Sequence, residues 1–257
     1  MEIVDLSFMK GFINVCENGW QKGYHERNGG NLTYRLNEIE TAACRPFCSM
    51  APENWIPLGV SASNLGGAYF LATGTGKYFK NVSHDPVNNI CIVKINSAGD
   101  SYCILWGLPD GGRPTSEFPT HILNHSIRYK ATNGKCRVIY HAHTPSIIAM
   151  TFVLPLTAKA FSHALWQCMT ECPIIFPGGV GVIPWMIPGG PEIAQATYDQ
   201  MEVHEAVIWA HHGTFCSGID FDTAFGLMDT LEKAADIYIR MMSMGQVVRQ
   251  TISDRNL

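Results

Sequence analysis

The sequence centres on Arg137-Val138-Ile139-Tyr140-His141-Ala142-His143, a short run that ends in two histidines. Three of its first four residues are β-branched or aromatic types, which predicts a strand. Because side chains two positions apart lie on one face of a strand, His141 and His143 can reach the same metal ion. Three neutral histidines with an open coordination position are a common composition of catalytic zinc sites.

A third candidate ligand lies downstream in His211-His212-Gly213, directly after the strand-like run Val207-Ile208-Trp209-Ala210. If that strand continues through both histidines, their side chains point to opposite faces and only one of them reaches the ion. The sequence pattern leaves His211 and His212 as equal alternatives for this position.

The composition predicts one domain that spans residues 1–257. The chain has 257 residues, 46% of them hydrophobic, so it can bury a large core, and no linker-like stretch divides it. A formal net charge of −4 argues against nucleic-acid binding, which needs a basic surface. The most apolar stretch, 173–188, is interrupted by prolines and glycines, so no membrane-spanning helix is expected.

The cysteines and the N-terminal residues predict a reducing, cytoplasmic location. Nine is an odd number of cysteines, and none of them forms a Cys-x-x-Cys pair. The first residues, Met1-Glu2-Ile3-Val4-Asp5, are acidic, whereas a secretory leader starts with basic residues. Free thiols are therefore the expected state.

The periodicity of apolar residues alternates between helical and strand-like, which predicts an α/β fold in which helices cover a sheet. Two strand-like runs flank the turn Ser97-Ala98-Gly99-Asp100, so a hairpin and antiparallel pairing are expected. Residues 40–66 are rich in Pro, Ser, Asn and Gly and are predicted to be irregular. Helices are predicted at 6–22, 115–130, from about 145, at 160–170, 191–204 and 220–244, and strands at 32–36, 69–72, 90–95, 101–106, 137–141 and 207–210.

Glu117 is the candidate catalytic carboxylate. It is predicted to lie in the first turn of the helix that Thr115 or Ser116 caps, where an acidic residue also complements the helix dipole. Beside a metal ion the same carboxylate can act as a general acid or base, or as a fourth ligand. His121, four residues on, shares its helical face and is interpreted as a structural or supporting residue.

Three short segments have the composition of anion-binding loops. Asn28-Gly29-Gly30-Asn31 and Gly74-Thr75-Gly76 combine glycine turns with side-chain donors, and Thr115-Ser116 precedes a helix. Taken alone, each segment fits an ordinary turn or cap better than an anion site. The second is not a P-loop, because Leu71 and Tyr78 occupy positions where that motif needs Gly and Ser or Thr.

Taken together, these segments resemble the class II aldolase/adducin family, and the resemblance runs from the N-terminal helix to about Ser253. The motifs occur in the family's order and spacing. They are Glu26-Arg27-Asn28-Gly29-Gly30-Asn31-Leu32-Thr33, Thr73-Gly74-Thr75-Gly76-Lys77, Pro114-Thr115-Ser116-Glu117, Lys130-Ala131-Thr132-Asn133-Gly134-Lys135, His141-Ala142-His143 and Ser243-Met244-Gly245 with Gln250-Thr251-Ile252-Ser253.

The resemblance implies a central, largely antiparallel sheet flanked by helices, and a homotetramer with active sites at subunit interfaces. It implies one zinc ion per subunit, held by His141, His143 and His212, and makes Glu117 the catalytic acid or base. Glu171 is implied to act on the aldehyde side of a neighbouring subunit's site. The substrate phosphate is expected near Asn28, Gly29, Asn31, Thr75, Thr115 and Ser116.

The implied reaction is the reversible retro-aldol cleavage of L-rhamnulose 1-phosphate to dihydroxyacetone phosphate and L-lactaldehyde, a step of rhamnose catabolism. The alternatives within the family are an L-fuculose-1-phosphate aldolase and an L-ribulose-5-phosphate 4-epimerase. A non-catalytic module such as adducin, in which the histidine set is lost, is a third possibility. The presence of three histidines and Glu117 argues against that reading.

Overall fold

The structure, a computed structural model, describes residues 2–49 and 54–253. Its described strands form one sheet in the order β2-β5-β4-β3-β1-β6-β9-β8-β7. Every neighbouring pair is antiparallel except β7 and β8, which are parallel. The predicted α/β class with a largely antiparallel sheet is therefore confirmed. The strands are β1 Asn31–Arg35, β2 Ile56–Pro57, β3 Tyr69–Thr73, β4 Ile90–Ile95, β5 Ser101–Gly107, β6 Val138–Ala142, β7 Gly181–Ile183, β8 Ala206–Trp209 and β9 Gly213–Gly218.

The helices cover both faces of this sheet. The long helices α1, α5, α9 and α10 coincide with predicted helices to within a few residues, because their apolar residues recur at helical spacing. The helices are α1 Ser7–Gln21, α2 Glu38–Cys44, α3 Phe79–Val82, α4 Pro86–Asn89, α5 Phe118–Ala131, α6 Pro145–Met150, α7 Ala158–Cys168, α8 Glu171–Ile175, α9 Pro191–Val203 and α10 Phe221–Ser243, with short 3₁₀ helices at Ile3–Asp5, Arg45–Phe47 and Ser63–Leu65.

The prediction that residues 40–66 are irregular is wrong at its start, where α2 forms. Asn37 caps this helix: its side chain accepts a hydrogen bond from the Glu40 N–H at 2.8 Å, and the Glu40 carboxylate accepts from the Asn37 N–H at 2.8 Å. This reciprocal capping box stabilises a helix start that the polar composition had concealed. Residues 50–53 of the stretch lie outside the described residues.

Two faces of the sheet pack against different helices, and this decides where each histidine points. On β6, Val138 and Tyr140 join the core formed with α1 and α10, whereas Ile139 joins the core formed with α5 and α9. His141 follows Ile139 at a spacing of two, so it lies on the α5 side of the sheet. The strand thus delivers His141 to the face that carries the start of α5.

The chain just after His143 is held by α10. The buried Glu232 carboxylate accepts hydrogen bonds from the backbone N–H groups of Ser146 and Ile147, at 2.9 and 3.1 Å. These are first-turn N–H groups of α6, which otherwise lack partners within the helix. Burial raises the pKa of Glu232, and the two N–H donors oppose this rise. No helix in the described ranges combines the length and apolarity needed to cross a membrane.

Candidate active site

Three histidines meet at one end of the central strands. His141 is in β6, His143 lies one residue beyond its end, and His212 lies in the turn between β8 and β9. One ring nitrogen from each histidine is within 4.8 Å of the nitrogens of the other two. These three side chains, called the triad below, form a group that can hold a metal ion.

The structure distinguishes His212 from His211 for a reason that strand alternation does not supply. β8 ends at Trp209, so neither histidine is in a strand, and His211 has a left-handed backbone with φ of 61°. This turn directs the His211 ring away from the triad, where its Nδ1 hydrogen-bonds with the Thr151 hydroxyl at 3.0 Å. The prediction that His211 and His212 alternate along a strand is therefore wrong. The triad nevertheless contains only one of the two histidines, as expected.

His141 has the environment of a metal ligand. Its ring is fully buried and stacks on Phe215 at a centroid distance of 4.2 Å. Burial lowers the pKa of His141 well below its usual value, so the ring is neutral. Its Nδ1–H donates to the Thr214 carbonyl oxygen at 3.1 Å, which leaves a lone pair on Nε2. Within the described part of the chain that buried Nε2 has no hydrogen-bond partner.

The other two histidines complete this donor set. Burial lowers the pKa of His212 to about 4, so its ring is neutral at pH 7. His143 Nδ1 is hydrogen-bonded to the Glu26 carboxylate at 2.6 Å, an arrangement that orients a ligating ring and leaves Nε2 for the ion. Three convergent imidazoles, one of which has an unpartnered buried nitrogen, fit a divalent transition metal.

The sequence analysis assigned no role to Glu26, although Glu26 is the first residue of the motif that contains Asn28. A Cβ on Gly29 would lie 2.7 Å from His143 Nδ1 and 2.8 Å from Glu26 Oε1. Gly29 is therefore required for the contact between Glu26 and His143. Its prediction as a phosphate-binding residue is untested, and its N–H donates to the Glu26 carbonyl oxygen at 2.7 Å.

Glu117 borders the triad. α5 begins at Phe118, so Glu117 is the residue just before the helix, and its prediction as a first-turn residue is wrong by one position. It is 7% exposed, and its Oε2 lies 3.8 Å from His141 Nε2. Burial raises the pKa of Glu117, and the Asn31 side-chain N–H, which donates at 2.9 Å, opposes the rise. Since His141 is neutral, their proximity is not an ion pair.

Two members of the triad, His143 and His212, line a cavity of about 190 Å³ in which the three predicted anion-binding segments meet. The Thr75 N–H donates to the Arg113 carbonyl at 2.9 Å, and the Thr115 N–H donates to the Thr73 carbonyl at 2.8 Å. These bonds join the second and third segments, although 40 residues separate them in sequence. The described lining contains no Lys or Arg and consists of Asn28, Gly29, Gly30, Asn31, Gly74, Thr75, Gly76, Thr115, Ser116, Glu117, His143 and His212.

The members of this lining differ in what they present to the cavity. Asn28, Thr75 and Ser116 are exposed and offer amide and hydroxyl donors. Thr115 is buried, and its hydroxyl oxygen accepts from the Glu117 N–H at 3.3 Å. Asn31 is 6% exposed, with both polar atoms of its side chain hydrogen-bonded inside the protein.

Glu171 is not brought to this cavity within one chain. It is exposed at the first residue of α8 and is absent from the described lining. The expectation for Glu171 concerns a neighbouring subunit, so it stays a prediction.

Comparison with known proteins identifies the family. Residues 10–239 match the family described as "Class II Aldolase and Adducin N-terminal domain". A rhamnulose-1-phosphate aldolase of Shigella boydii serotype 4 is 46% identical over 250 residues, 97% of this chain and 90% of that protein. One from Escherichia coli O1:K1 is 47% identical over the same shares. A sugar-phosphate aldolase from Thermotoga maritima, of known crystal structure, superposes with a TM-score of 0.77 and 30% identity, covering 92% of this chain and 95% of that one. The chain therefore belongs to the class II aldolase and adducin family.

Proposed function

We propose that this protein is a metal-dependent aldolase that reversibly cleaves L-rhamnulose 1-phosphate to dihydroxyacetone phosphate and L-lactaldehyde. The observation that carries the proposal is the triad, three converging histidines with the unpartnered His141 Nε2, beside the buried carboxylate of Glu117. The proposed substrate is supported by relatives of 46–47% identity that are named rhamnulose-1-phosphate aldolases.

His141, His143 and His212 are the proposed ligands of one Zn²⁺ ion per subunit. A divalent ion held by these residues would supply a Lewis acid for the ketose oxygens and would offset the negative charge that develops as the carbon–carbon bond breaks. The hydrogen bonds from His141 to the Thr214 carbonyl and from His143 to Glu26 hold the two rings in one orientation.

Glu117 is the proposed proton carrier. A base takes the proton of the C4 hydroxyl, the C3–C4 bond breaks to leave a carbonyl at C4, and the bonding pair stays with the C3 fragment. Glu117 then gives a proton to C3, which releases dihydroxyacetone phosphate. The proton taken by the base returns through solvent to Glu117 between turnovers. Burial of Glu117 favours the protonated form and the Asn31 N–H favours the ionised form, a balance suited to a group that alternates between the two.

Neutral donors hold the phosphate end of the substrate in this proposal. The residues proposed for this end all line the cavity beside His143 and His212: Asn28, Gly29, Asn31, Thr75, Thr115 and Ser116. Amide and hydroxyl donors can bind a phosphate without a basic side chain when several of them converge. Anchoring this non-reacting end orients the bond to be broken.

The proposal also includes a homotetrameric assembly and a cytoplasmic location. Glu171 acts on the aldehyde side of a neighbouring subunit's site, which requires a homotetramer with active sites at its interfaces. The exposed position of Glu171 at the start of α8 is compatible with such a reach. All nine cysteines are free thiols, which supports action in the reducing cytoplasm.

The test is cleavage of L-rhamnulose 1-phosphate against L-fuculose 1-phosphate by zinc-loaded protein, coupled to detection of dihydroxyacetone phosphate. We expect preference for the rhamnulose ester and loss of activity with a chelator. In the Glu117→Gln variant we expect unchanged zinc content and a fall in kcat of about 10²- to 10⁴-fold, the usual size of a general acid–base contribution.

Four outcomes would contradict the proposal. Preference for the fuculose ester would assign the other aldolase, and isomerisation of L-ribulose 5-phosphate without fragmentation would assign the epimerase. Full activity of Glu117→Gln would remove Glu117 from the reaction. If the protein binds no zinc and converts none of the three sugar phosphates, the remaining alternative is a non-catalytic, adducin-like module.

A further inference from the structure

A line of buried polar side chains runs from Glu117 into the interior between β1 and α5. Asn31 Nδ2 donates to Glu117 Oε2 at 2.9 Å, and Asn31 Oδ1 is hydrogen-bonded to His121 Nε2. His121 Nδ1 lies 2.7 Å from the Thr33 hydroxyl oxygen, which in turn lies 2.9 Å from His125 Nε2. Thr33, His121 and His125 are completely buried.

Two sequence periods produce this line. Asn31 and Thr33 are two residues apart on β1, so they share the face of the sheet that α5 covers. Glu117, His121 and His125 follow one another at intervals of four, so they lie along one side of α5 and the residue before it. The strand and the helix therefore bring two matching rows of polar side chains into contact.

The hydrogen bonds in this line run in one direction. Burial lowers the pKa of His121 to about 3 and lowers that of His125 well below its usual value, so each ring carries a single proton. His125 Nδ1 has no partner in the described structure, so the His125 proton belongs on Nε2, where it donates to Thr33. Thr33 then donates to His121 Nδ1, and the His121 proton sits on Nε2 and donates to Asn31 Oδ1.

The reverse direction has a clear cost. It would leave the N–H of His125 buried without an acceptor, and it would turn the Asn31 carbonyl oxygen towards the Glu117 carboxylate. An unpartnered buried donor costs more than an unpartnered buried acceptor. The observed line thus ends with an amide N–H that points at Glu117 Oε2.

We propose that His121, acting through Asn31, is a positioning residue that holds the Glu117 carboxylate beside His141 Nε2. In this role one N–H of the Asn31 amide holds Glu117, and the second N–H of the same amide is left as a donor for the substrate phosphate. The inference rests on the proposed aldolase function, since it assigns the two residues to the orientation of that reaction's proton carrier.

The decisive experiment compares His121→Gln with His121→Asn. The amide nitrogen of glutamine can stand near the position of His121 Nε2 and donate to Asn31, whereas that of asparagine stands near Nδ1 and cannot reach Asn31. Both side chains are polar amides, so a merely structural role for His121 would be met about equally by either. We expect His121→Asn to lower kcat by about 10- to 100-fold, the range for one hydrogen bond to a charged group, and His121→Gln to recover most of that loss.

Asn31→Leu and Asn28→Ala provide the second comparison, with inorganic phosphate as a competitive inhibitor. Asn31→Leu is expected to reduce kcat by about 10- to 100-fold, and any change in the inhibition constant of phosphate measures the second Asn31 N–H separately. Asn28→Ala, on the exposed wall of the cavity, is expected to raise KM and that inhibition constant. The double variant Asn31→Leu/His121→Asn should be no slower than Asn31→Leu alone, because both act on one hydrogen bond.

Equal kcat values in His121→Asn, His121→Gln and the wild type would overturn the inference. So would an Asn31→Leu variant that keeps kcat and loses phosphate affinity as Asn28→Ala does. Crystal structures of the wild type and His121→Asn provide a test that does not depend on enzyme activity. In the variant, the Glu117 carboxylate should move away from Asn31. An unmoved carboxylate would contradict the positioning role of His121. Absence of cleavage by the zinc-loaded wild type would reject the proposed aldolase function, while this crystallographic arm still decides the inference.

Discussion

Two groups of histidines in this protein both contain buried, neutral rings, but their surroundings differ. In the triad, nitrogens of His141, His143 and His212 converge, and the buried Nε2 of His141 has no partner in the described structure. In the other group, His25 and His121 use both ring nitrogens in hydrogen bonds within the protein. Burial lowers the pKa to about 3 for His25 and His121 and to about 4 for His212. A neutral histidine alone therefore does not identify a ligand.

Convergence is the property that separates the two groups. His125 also has an unpartnered buried nitrogen, but it is not part of the group of side chains that can share an ion. His25 stacks on Phe79 at a centroid distance of 3.6 Å and hydrogen-bonds to the Tyr140 hydroxyl at 2.7 Å, so it supports the core. An unpartnered nitrogen indicates a metal site only where other donors face the same point.

The largest expected effect follows from removing a triad nitrogen. His141→Ala should lose the metal and lower kcat/KM by more than about 10³-fold, because two remaining imidazoles bind a divalent ion much more weakly. Metal content per subunit after dialysis and the rate of cleavage test this together. Full occupancy in His141→Ala would remove His141 from the ligand set.

His211→Ala is the matched control for that variant. His211 neighbours His212 in sequence, but its ring hydrogen-bonds with Thr151 and packs on Phe152 outside the triad. The variant should keep its metal. Loss of metal from His211→Ala and retention by His212→Ala would reverse the assignment of the two neighbours.

A smaller effect is expected from the residue that orients His143. Glu26→Ala removes the carboxylate 2.6 Å from His143 Nδ1, and the loss of such a partner lowers metal affinity by about 10- to 100-fold. Competition with a chromophoric chelator measures this affinity directly. Glu192→Ala, an exposed glutamate in the first turn of α9, is the control and should bind metal as the wild type does. Equal affinity in both variants would mean that Glu26 does not support the ligand.

The smallest effect concerns the histidines that are not in the triad. The pKa of His121 is about 3 in the folded state against 6.5 in the unfolded state, so the unfolded chain binds its proton first as the pH falls. Stability is therefore lost as the pH drops from 6.5 towards 3. Between pH 7.5 and 5.5 one such histidine costs about 1.4 kcal/mol.

Urea unfolding of metal-free protein at those two pH values measures this loss. The wild type should lose about 1.4 kcal/mol more than His121→Gln, which lacks the titrating ring. An equal loss in the two proteins would show that His121 is not the buried neutral group described above.

Much of this architecture follows from local pattern. The strand β6 and the spacing of His141 and His143 result from period-two alternation, and α1, α5, α9 and α10 result from helical spacing of apolar residues. These features depend on residues within a few positions of each other, so they are readable from the chain. The short strands β7 and β9, in glycine-containing runs, were not predicted, because they form through pairing with β8 and β6.

The site, like the fold, has some features that the local sequence predicts and others that depend on tertiary contacts. The sequence was sufficient to select Glu117 and the histidine motifs, because the residue types and their spacing are themselves the chemical signal. The local pattern did not separate His212 from His211, and the family resemblance selected His212 without a physical reason. The tertiary structure supplies that reason, since a turn between two strands and a hydrogen bond from His211 to Thr151, 60 residues away, direct the two rings. It also paired Asn31 with His121 across 90 residues. Contacts of that separation depend on the packing of whole elements, which no local pattern encodes.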